Sequence, residues 1–477
     1  MKSIIEPQKK IPVVDEADVI VVGGGPAGIG AALAAARNGA KTILLERFNS
    51  LGGMQTQGFN ASFSFIDPEI QGGVISDIIY GLKRNGGLIR DTSADTRIGK
   101  GMGGIFFDIE SYKFLLDNMI IEAGVKPMYH VFGASAVKEG KTLKAVIIES
   151  KEGRQAIAGK VVIDTTGSAD IAWKSGAPCM DEGFPGGPKK GRHSGFGYTF
   201  FFGGVDYGKL KAFRKEHPEE WGGLWGGREL IKKSKANGSL YGNRAAFLLS
   251  EIWGRGSIWI LGPQYALPMG HHGWLTADIT NGEIDLRKQA WSMYNLLKKN
   301  VPGFEKSYIE KTPNSLMLRD THRLLGEYVL TEKDMRQGKA FDDSIAISNM
   351  CPDVFGPDDE HAWLGDIPPY DIPYRCLISK ETDNLLSAGS SMSTDFITFC
   401  ATRYCTPSVC TGQAAGTAAA LSAKTNISPK KLDIKLLQDT LCRQGARISI
   451  KYLPKSVFNE YQKKAQQAQA RIKSNTF

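Results

Sequence analysis

Apolar and polar positions sort this chain into elements before any chemistry is considered. The clearest stretch is Ala17 to Glu46, ADVIVVGGGPAGIGAALAAARNGAKTILLE. A strand-like run from Asp18 to Val22 empties into glycines. The Ala-rich stretch that follows predicts a helix to Asn38, with Gly39 suited to its C-terminal stop, and a second strand ends at Glu46. Further on, Tyr112, Leu115, Leu116, Met119 and Ile120 give Asp108 to Ala123 helical spacing, stopped by Gly124. Short alternating runs then turn at Glu139-Gly140-Lys141 and Lys151-Glu152-Gly153-Arg154, which predicts a small β-meander leading into a core strand, Gly159 to Asp164.

From about Ser175 to Pro373 the texture changes to one rich in Gly, Trp and Tyr, with helical patches at Leu286 to Asn300 and Leu318 to Tyr328. This part reads as a substrate domain inserted into a nucleotide-binding domain. The chain returns with a strand, Asn384 to Ala388, and a small-residue helix from about Pro407 to Ala423. Ser428-Pro429 suits the N-cap and first position of a helix ending at Gly445, and Glu460 to Lys473 reads as a solvated surface helix.

The opening stretch carries chemistry as well as shape. Strand, glycine turn, helix and acidic strand end together form the dinucleotide-binding fingerprint. Gly23 permits the tight turn, Gly25 lets backbone approach a pyrophosphate, and Gly28 lets helix and sheet pack closely. The helix start offers N–H groups and a positive dipole end to phosphates, while Glu46 stands where a carboxylate holds ribose hydroxyls.

Several pieces in combination extend this reading: the fingerprint with Glu46, then Gly52-Gly53-Met54, Asp164-Thr165-Thr166-Gly167, DIPYRCLI (Asp371 to Ile378), NLLSAG (Asn384 to Gly389) and GQAAGTAAAL (Gly412 to Leu421). Together they resemble an FAD-dependent oxidoreductase of the glutathione-reductase-like superfamily, with a nucleotide domain similar to that of the fumarate reductase flavoprotein. RLLGEYVLTEKD (Arg323 to Asp334) resembles the inserted domain of that group. The resemblance implies an α/β fold: a Rossmann-type FAD-binding domain with a β-meander (1–174 and, returning, 374–425), an inserted α+β substrate domain (175–373) and C-terminal helices (426–477). It implies that Gly23, Gly25, Pro26, Ala27 and Gly28 meet the FAD pyrophosphate, that Glu46 holds the adenosine ribose with Arg47 beside the adenine, and that Gly52, Gly53 and Met54 run along diphosphate and flavin. Backbone near Phe132 and Gly133 would meet the adenine, and Thr166-Gly167 would close over the nucleotide. Gly389, Ser390 and the helix opening at Gly412-Gln413-Ala414 would reach the ribityl chain and the flavin pyrimidine. Many members of the superfamily carry an Asp after the Ala388-Gly389 position, where Ser390 and Ser391 stand here. No His adjoins Gly52-Gly53-Met54-Gln55-Thr56, so non-covalent, dissociable FAD is expected.

Such a flavoprotein passes hydride and must manage one proton over the ring. His271-His272, in a Gly-flanked loop, could supply a base near working pH or be an ordinary surface or core-lining pair. Arg319, His322 and Arg323 would share one helix face, there to clamp a carboxylate or to pair with Asp320 and Glu327. Tyr374-Arg375 and Arg403-Tyr404 bracket the segment returning to the flavin and are candidates for substrate contact, Arg403 or Arg319 orienting a polar or anionic group. Cys400, Cys405 and Cys410 repeat at a step that is neither a redox nor a metal spacing, so they read as buried structural thiols. The many tryptophans of the inserted part, Trp259 and Trp274 among them, could stack on a ring or simply pack a core. No spacing suggests a metal site.

Composition narrows the classes without changing them. At 477 residues, 42% hydrophobic and 23% charged, the chain has the balance of a soluble globular protein with room for two or three domains. The formal charge is +9, but lysines and arginines are spread out, which favours anionic small substrates over nucleic acid. Seven cysteines without a disulfide spacing fit reduced thiols in the cytoplasm. The N-terminus lacks the apolar core of a signal peptide and no run is long enough to span a bilayer, so no membrane partner is expected. The expected reaction is hydride transfer between FAD and a small organic, polar or anionic substrate; the electron acceptor or donor and a homo-oligomeric state stay open. A flavin monooxygenase with a single fingerprint and a non-enzymatic electron-transfer flavoprotein are the alternatives.

Overall fold

The computed structural model describes residues 3–4, 7–94, 103–221, 225–242, 244–251, 257–356, 361–363 and 365–474. Its central sheet is seven-stranded and is built around two neighbours, Val13–Val22 and Gly153–Asp164. Val19–Val22 pair in parallel with Thr42–Leu45 on one side and with Val161–Asp164 on the other. All of these residues are apolar except the two at the ends, as a sheet covered on both faces requires. The strand Lys126–Met128 extends one edge in parallel.

Gly153–Asp164 does two things at once. Its first half pairs antiparallel with Thr142–Ser150, which in turn pairs with Phe132–Glu139, and this is the β-meander. Its last three residues, Val162 to Asp164, pair in parallel with Leu385–Ser387, so the chain re-enters the sheet after a long excursion.

The helix Pro26–Arg37 lies against the helix Cys405–Thr425, and both are made of small residues for a steric reason. A Cβ at Gly412 would lie 2.0 Å from the Ala27 carbonyl oxygen, one at Gly416 2.0 Å from that of Ala31, and one at Gly30 2.3 Å from that of Val409. The two backbones are therefore nearly in contact.

The excursion contains a five-stranded sheet in the order Trp225–Gly226, Phe247–Glu251, Ile258–Tyr265, Phe196–Gly203, Tyr308–Lys311. Thr276–Asn300 forms one long helix, beginning well before Leu286, and packs Leu286, Ala290, Met293 and Leu297 with Phe200, Phe202, Phe247 and Ile260. No helix among the described residues is long and apolar enough to cross a membrane.

Three expectations need correction. Leu318 to Tyr328 is not a helix: residues 319–324 are all buried, Arg323–Leu324 pairs as a strand with Cys179–Met180, and Met317 bridges to Gly197. A helix would bury one face, whereas this extended segment is enclosed on every side. The small-residue helix starts at Cys405, not at Pro407. Ser428 caps only a short turn, Pro429–Lys431, and Asp433 caps the following helix, Ile434–Arg443, by accepting from the N–H groups of Lys435 and Leu436.

Candidate functional site

Parallel pairing brings Val22, Leu45, Asp164 and Ser387 to one edge of the sheet, so the loops that follow them converge. A groove runs along this edge, lined by Gly23, Gly25, Pro26, Ala27, Glu46, Arg47, Gly53, Met54, Phe132, Gly133, Thr166, Gly167 and Ser390 among others. Gly23 has φ +104°, and a Cβ there would stand 2.5 Å from the Thr165 carbonyl oxygen. The Thr165 hydroxyl donates to the carbonyls of Val22 (2.9 Å) and Gly23 (2.8 Å), locking the two loops together. Gly28 lies under the same turn, since a Cβ on it would meet the Gly23 carbonyl oxygen at 1.8 Å.

Gly25 differs from both. A Cβ there would meet only Gly53 Cα, at 3.9 Å, so its missing side chain leaves space in the groove rather than preventing a clash. The helix Pro26–Arg37 begins at this point with no side chain capping its first turn, which leaves those N–H groups for an anion. An open cradle over an uncapped helix start fits the pyrophosphate of the expected dinucleotide.

At one end of the groove, Glu46 is held by backbone: Oε2 accepts from Gly24 N–H (2.7 Å) and Oε1 from Phe48 N–H (2.8 Å). Burial pushes its carboxyl above the usual range, against those two bonds. A fixed carboxylate here fits ribose hydroxyls. Arg47, Phe132 and Gly133 line the same end, with the Lys174 ammonium 4.4 Å from the Phe132 ring centre. At the other end Ser390 Oγ donates to the Gly167 carbonyl (3.1 Å) and Ser391 Oγ accepts from Ala169 N–H (3.1 Å). The serines that stand where an Asp is common thus tie the returning loop to the Gly167 loop. Gly52 (φ +105°) and Gly389 (φ +70°) shape the neighbouring turns and do not line the groove.

Asp164, quoted in the sequence only as part of a motif, organises this end. Its Oδ1 accepts from the Thr166 amide and hydroxyl, and its Oδ2 from the amides of Ile171 and Ala172. Burial pushes its carboxyl from 3.8 up to about 6. The folded protein therefore keeps a proton that the unfolded chain releases between about pH 4 and pH 6, and stability from this group, full at low pH, is lost as pH rises through that window. Relative to Asp164→Asn, which cannot ionise, the native protein should lose about 2 kcal/mol of stability between pH 4 and pH 7. Urea unfolding at both pH values checks this; parallel pH dependences would contradict it.

Next to the groove lies a cavity of about 570 Å³. It shares Met54, Gly167, Ser390, Arg403 and Cys405 with the groove, so the two adjoin. One wall is the five-stranded sheet, which contributes Thr199, Leu248, Trp259 and Leu261. Phe65, Phe355, Phe399 and Tyr404 add rings elsewhere.

Arg319 and Arg403 both reach this cavity although no helix face joins them. The Arg319 guanidinium carbon is 3.9 Å from the Phe355 ring centre and that of Arg403 is 5.9 Å from it. Arg403 also donates to the Asp353 carbonyl (2.9 Å) and approaches its carboxylate (3.4 Å). Arg323 is instead fully buried, beside Asp320 (3.3 Å) and donating to the Thr394 carbonyl, and is structural.

Other candidates fall elsewhere. His271 and His272 line neither groove nor cavity. His271 Nδ1 is 2.6 Å from Asp278 Oδ1, and His272 stacks on Trp274 at 4.2 Å, with burial lowering its pKa. They fasten their loop to the start of the long helix. Gly412, Gln413 and Ala414 lie two turns inside their helix, buried, and Gln413 Oε1 accepts from Val74 N–H. The end of that helix that faces the groove holds Cys405 and Ser408. Arg375 pairs with Asp343 (2.9 Å) at the surface, and buried Tyr374 donates to the Pro429 carbonyl. Cys400, Cys405 and Cys410 are free thiols pushed up to about 12 by burial, which keeps them protonated. Sequence reasoning missed Thr199, Leu248 and Leu261; the lone polar Thr199 in the run Phe196–Gly203 was the one available signal.

The sequence profile of the FAD dependent oxidoreductase family matches residues 18–441. No curated protein matches the chain. Among solved structures, a geranylgeranyl bacteriochlorophyll reductase-like protein from Thermoplasma acidophilum is similar at 12% identity and a TM-score of 0.45, covering 96% of this chain and 99% of that one. A p-nitrophenol 4-monooxygenase from Pseudomonas putida DLL-E4 is similar at 10% identity and a TM-score of 0.45, covering 97% and 92%. A flavin-dependent brominase is similar at 12% identity and a TM-score of 0.45, covering 96% and 92%.

Proposed function

This chain belongs to the FAD-dependent oxidoreductase family, with FAD as its cofactor, and on that premise we propose that it oxidises or reduces a small organic molecule held in the cavity beside the groove. What carries this reading is that groove and cavity share Met54, Gly167, Ser390, Arg403 and Cys405, which would set a substrate beside the cofactor's ring end. Dissociable FAD would rest on Gly23 to Gly28, Glu46, Arg47, Gly53, Met54, Phe132, Gly133, Thr166, Gly167 and Ser390. Bound FAD supplies two-electron chemistry as hydride transfer.

The chain's own residues do the rest. Arg403, and beyond it Arg319, orient a polar or anionic group. Tyr404 lines the cavity, and burial pushes its phenol well above 10, so at neutral pH it stays protonated and serves as a donor. The rings and aliphatic side chains of the cavity exclude water. We read residues 175–373 as the substrate-holding part, 1–174 and 374–425 as the FAD-holding part, and the nucleotide domain as kin to that of the fumarate reductase flavoprotein within the glutathione-reductase-like superfamily.

Anaerobic photoreduction followed by re-oxidation tests the reaction. Slow re-oxidation by air with fast turnover by one organic acceptor is the expected result. Rapid re-oxidation by air would transfer the reading to a monooxygenase, and re-oxidation by one-electron dyes alone would make the protein an electron carrier.

A further inference from the structure

We propose that the ligand of this cavity is an amphiphilic acid with a planar, ring-bearing body larger than one ring, its carboxylate at Arg403 and its body along the five-stranded sheet. The proposal deepens the oxidoreductase reading of the same site.

The cavity is chemically lopsided. On the sheet side the polar atoms are already spent: Trp259 Nε1–H donates to the Phe59 carbonyl (2.7 Å) and the Thr199 hydroxyl donates to the Gly58 carbonyl. With Leu248 and Leu261 beside them, these side chains turn carbon surface toward the ligand. A wall of this kind favours an apolar body and an indole face favours a flat one. At about 570 Å³ the space exceeds what a single ring fills.

At the groove end the opposite holds. Arg403 has one nitrogen engaged by Asp353, while its Nε is buried and has no hydrogen-bond partner among the described residues. A buried guanidinium N–H without an acceptor is costly, and a ligand oxygen arriving there removes that cost. A carboxylate does so best, because it matches the guanidinium edge with a charge-assisted bond. Arg403 and Arg319 lie on one ring, Phe355, so two cations attend the same end. Because Arg403 lines groove as well as cavity, the acid lies next to the cofactor and the body points away from it.

Calorimetric titration of the FAD-loaded protein with 1-naphthylacetate, 1-naphthylacetamide and 2-(1-naphthyl)ethylamine separates charge from shape. The acid should bind at least about 30-fold more tightly than the amide, and the amine more weakly still. Arg403→Gln should reduce the preference for acid over amide to less than about 3-fold. Equal binding of acid and amide, tighter binding of the amine, or equal losses for all three ligands in the variant would overturn the proposal. The ranking in the unmodified protein decides even if the variant does not fold. A protein that binds no FAD but still ranks the acid first would sink the oxidoreductase reading and not this one.

Discussion

Gly25→Val should fold and yet lose FAD. A Cβ at this position would have only Gly53 Cα within 4 Å, at 3.9 Å, and Gly25 lines the groove where the pyrophosphate must approach the backbone. Valine is a poorer residue than glycine before a helix, which costs about 1 kcal/mol of stability. Blocking close approach of the phosphates to the helix start should weaken FAD binding at least about 100-fold, equivalent to about 3 kcal/mol. Flavin titration beside a thermal melt separates the two effects. Native affinity in the variant would mean that the groove is not where FAD binds.

Gly412→Val should do the reverse, failing on stability. Its Cβ would lie 2.0 Å from the Ala27 carbonyl oxygen, a backbone atom that cannot swing aside as a side chain would. Overpacking of a backbone-to-backbone contact should cost about 3 kcal/mol and lower the melting temperature by about 3 °C, or leave the protein insoluble. A variant of native melting temperature that had lost FAD selectively would restore the idea that Gly412 faces the flavin.

The contrast between these two glycines shows what the sequence makes legible. Gly23, Gly25 and Gly28 answer demands set within a few residues: a left-handed φ, an open approach, and a turn tucked under its own helix. Strand, turn and helix are local, so the groove and Glu46 could be placed by reading along the chain. Gly412 answers a demand made by Ala27, far away in sequence, and a glycine that serves packing looks the same as one that serves a ligand. The helix start was misplaced for a related reason: Pro407 suggests a beginning, yet a proline is tolerated in a first turn opened by Cys405.

The cavity was legible only at its charged end. Arg403 and Arg319 can be picked out as cations, but the sheet wall is assembled from three strands whose pairing decides which side chains face inward. Thr199 sits across from Leu261, and Leu261 across from Leu248, by strand register alone. The 319–324 segment misled because its charges fall at helical spacing, whereas each is buried against a different partner: Arg319 over Phe355, Asp320 beside His193 (2.9 Å), Arg323 against Asp320 and the Thr394 carbonyl. His271 and His272 misled because a glycine-flanked pair looks equally apt as a base or as a fastening for a helix start, and the difference lies in Asp278.

The most direct measurement is to reconstitute the purified chain with FAD, count flavin per chain, and denature it. One FAD per chain with a protein-perturbed flavin spectrum, released whole into solution on denaturation, is the expected result. Flavin that stays with the denatured pellet would contradict dissociable binding. No bound flavin at any FAD concentration would contradict the assignment of the groove itself.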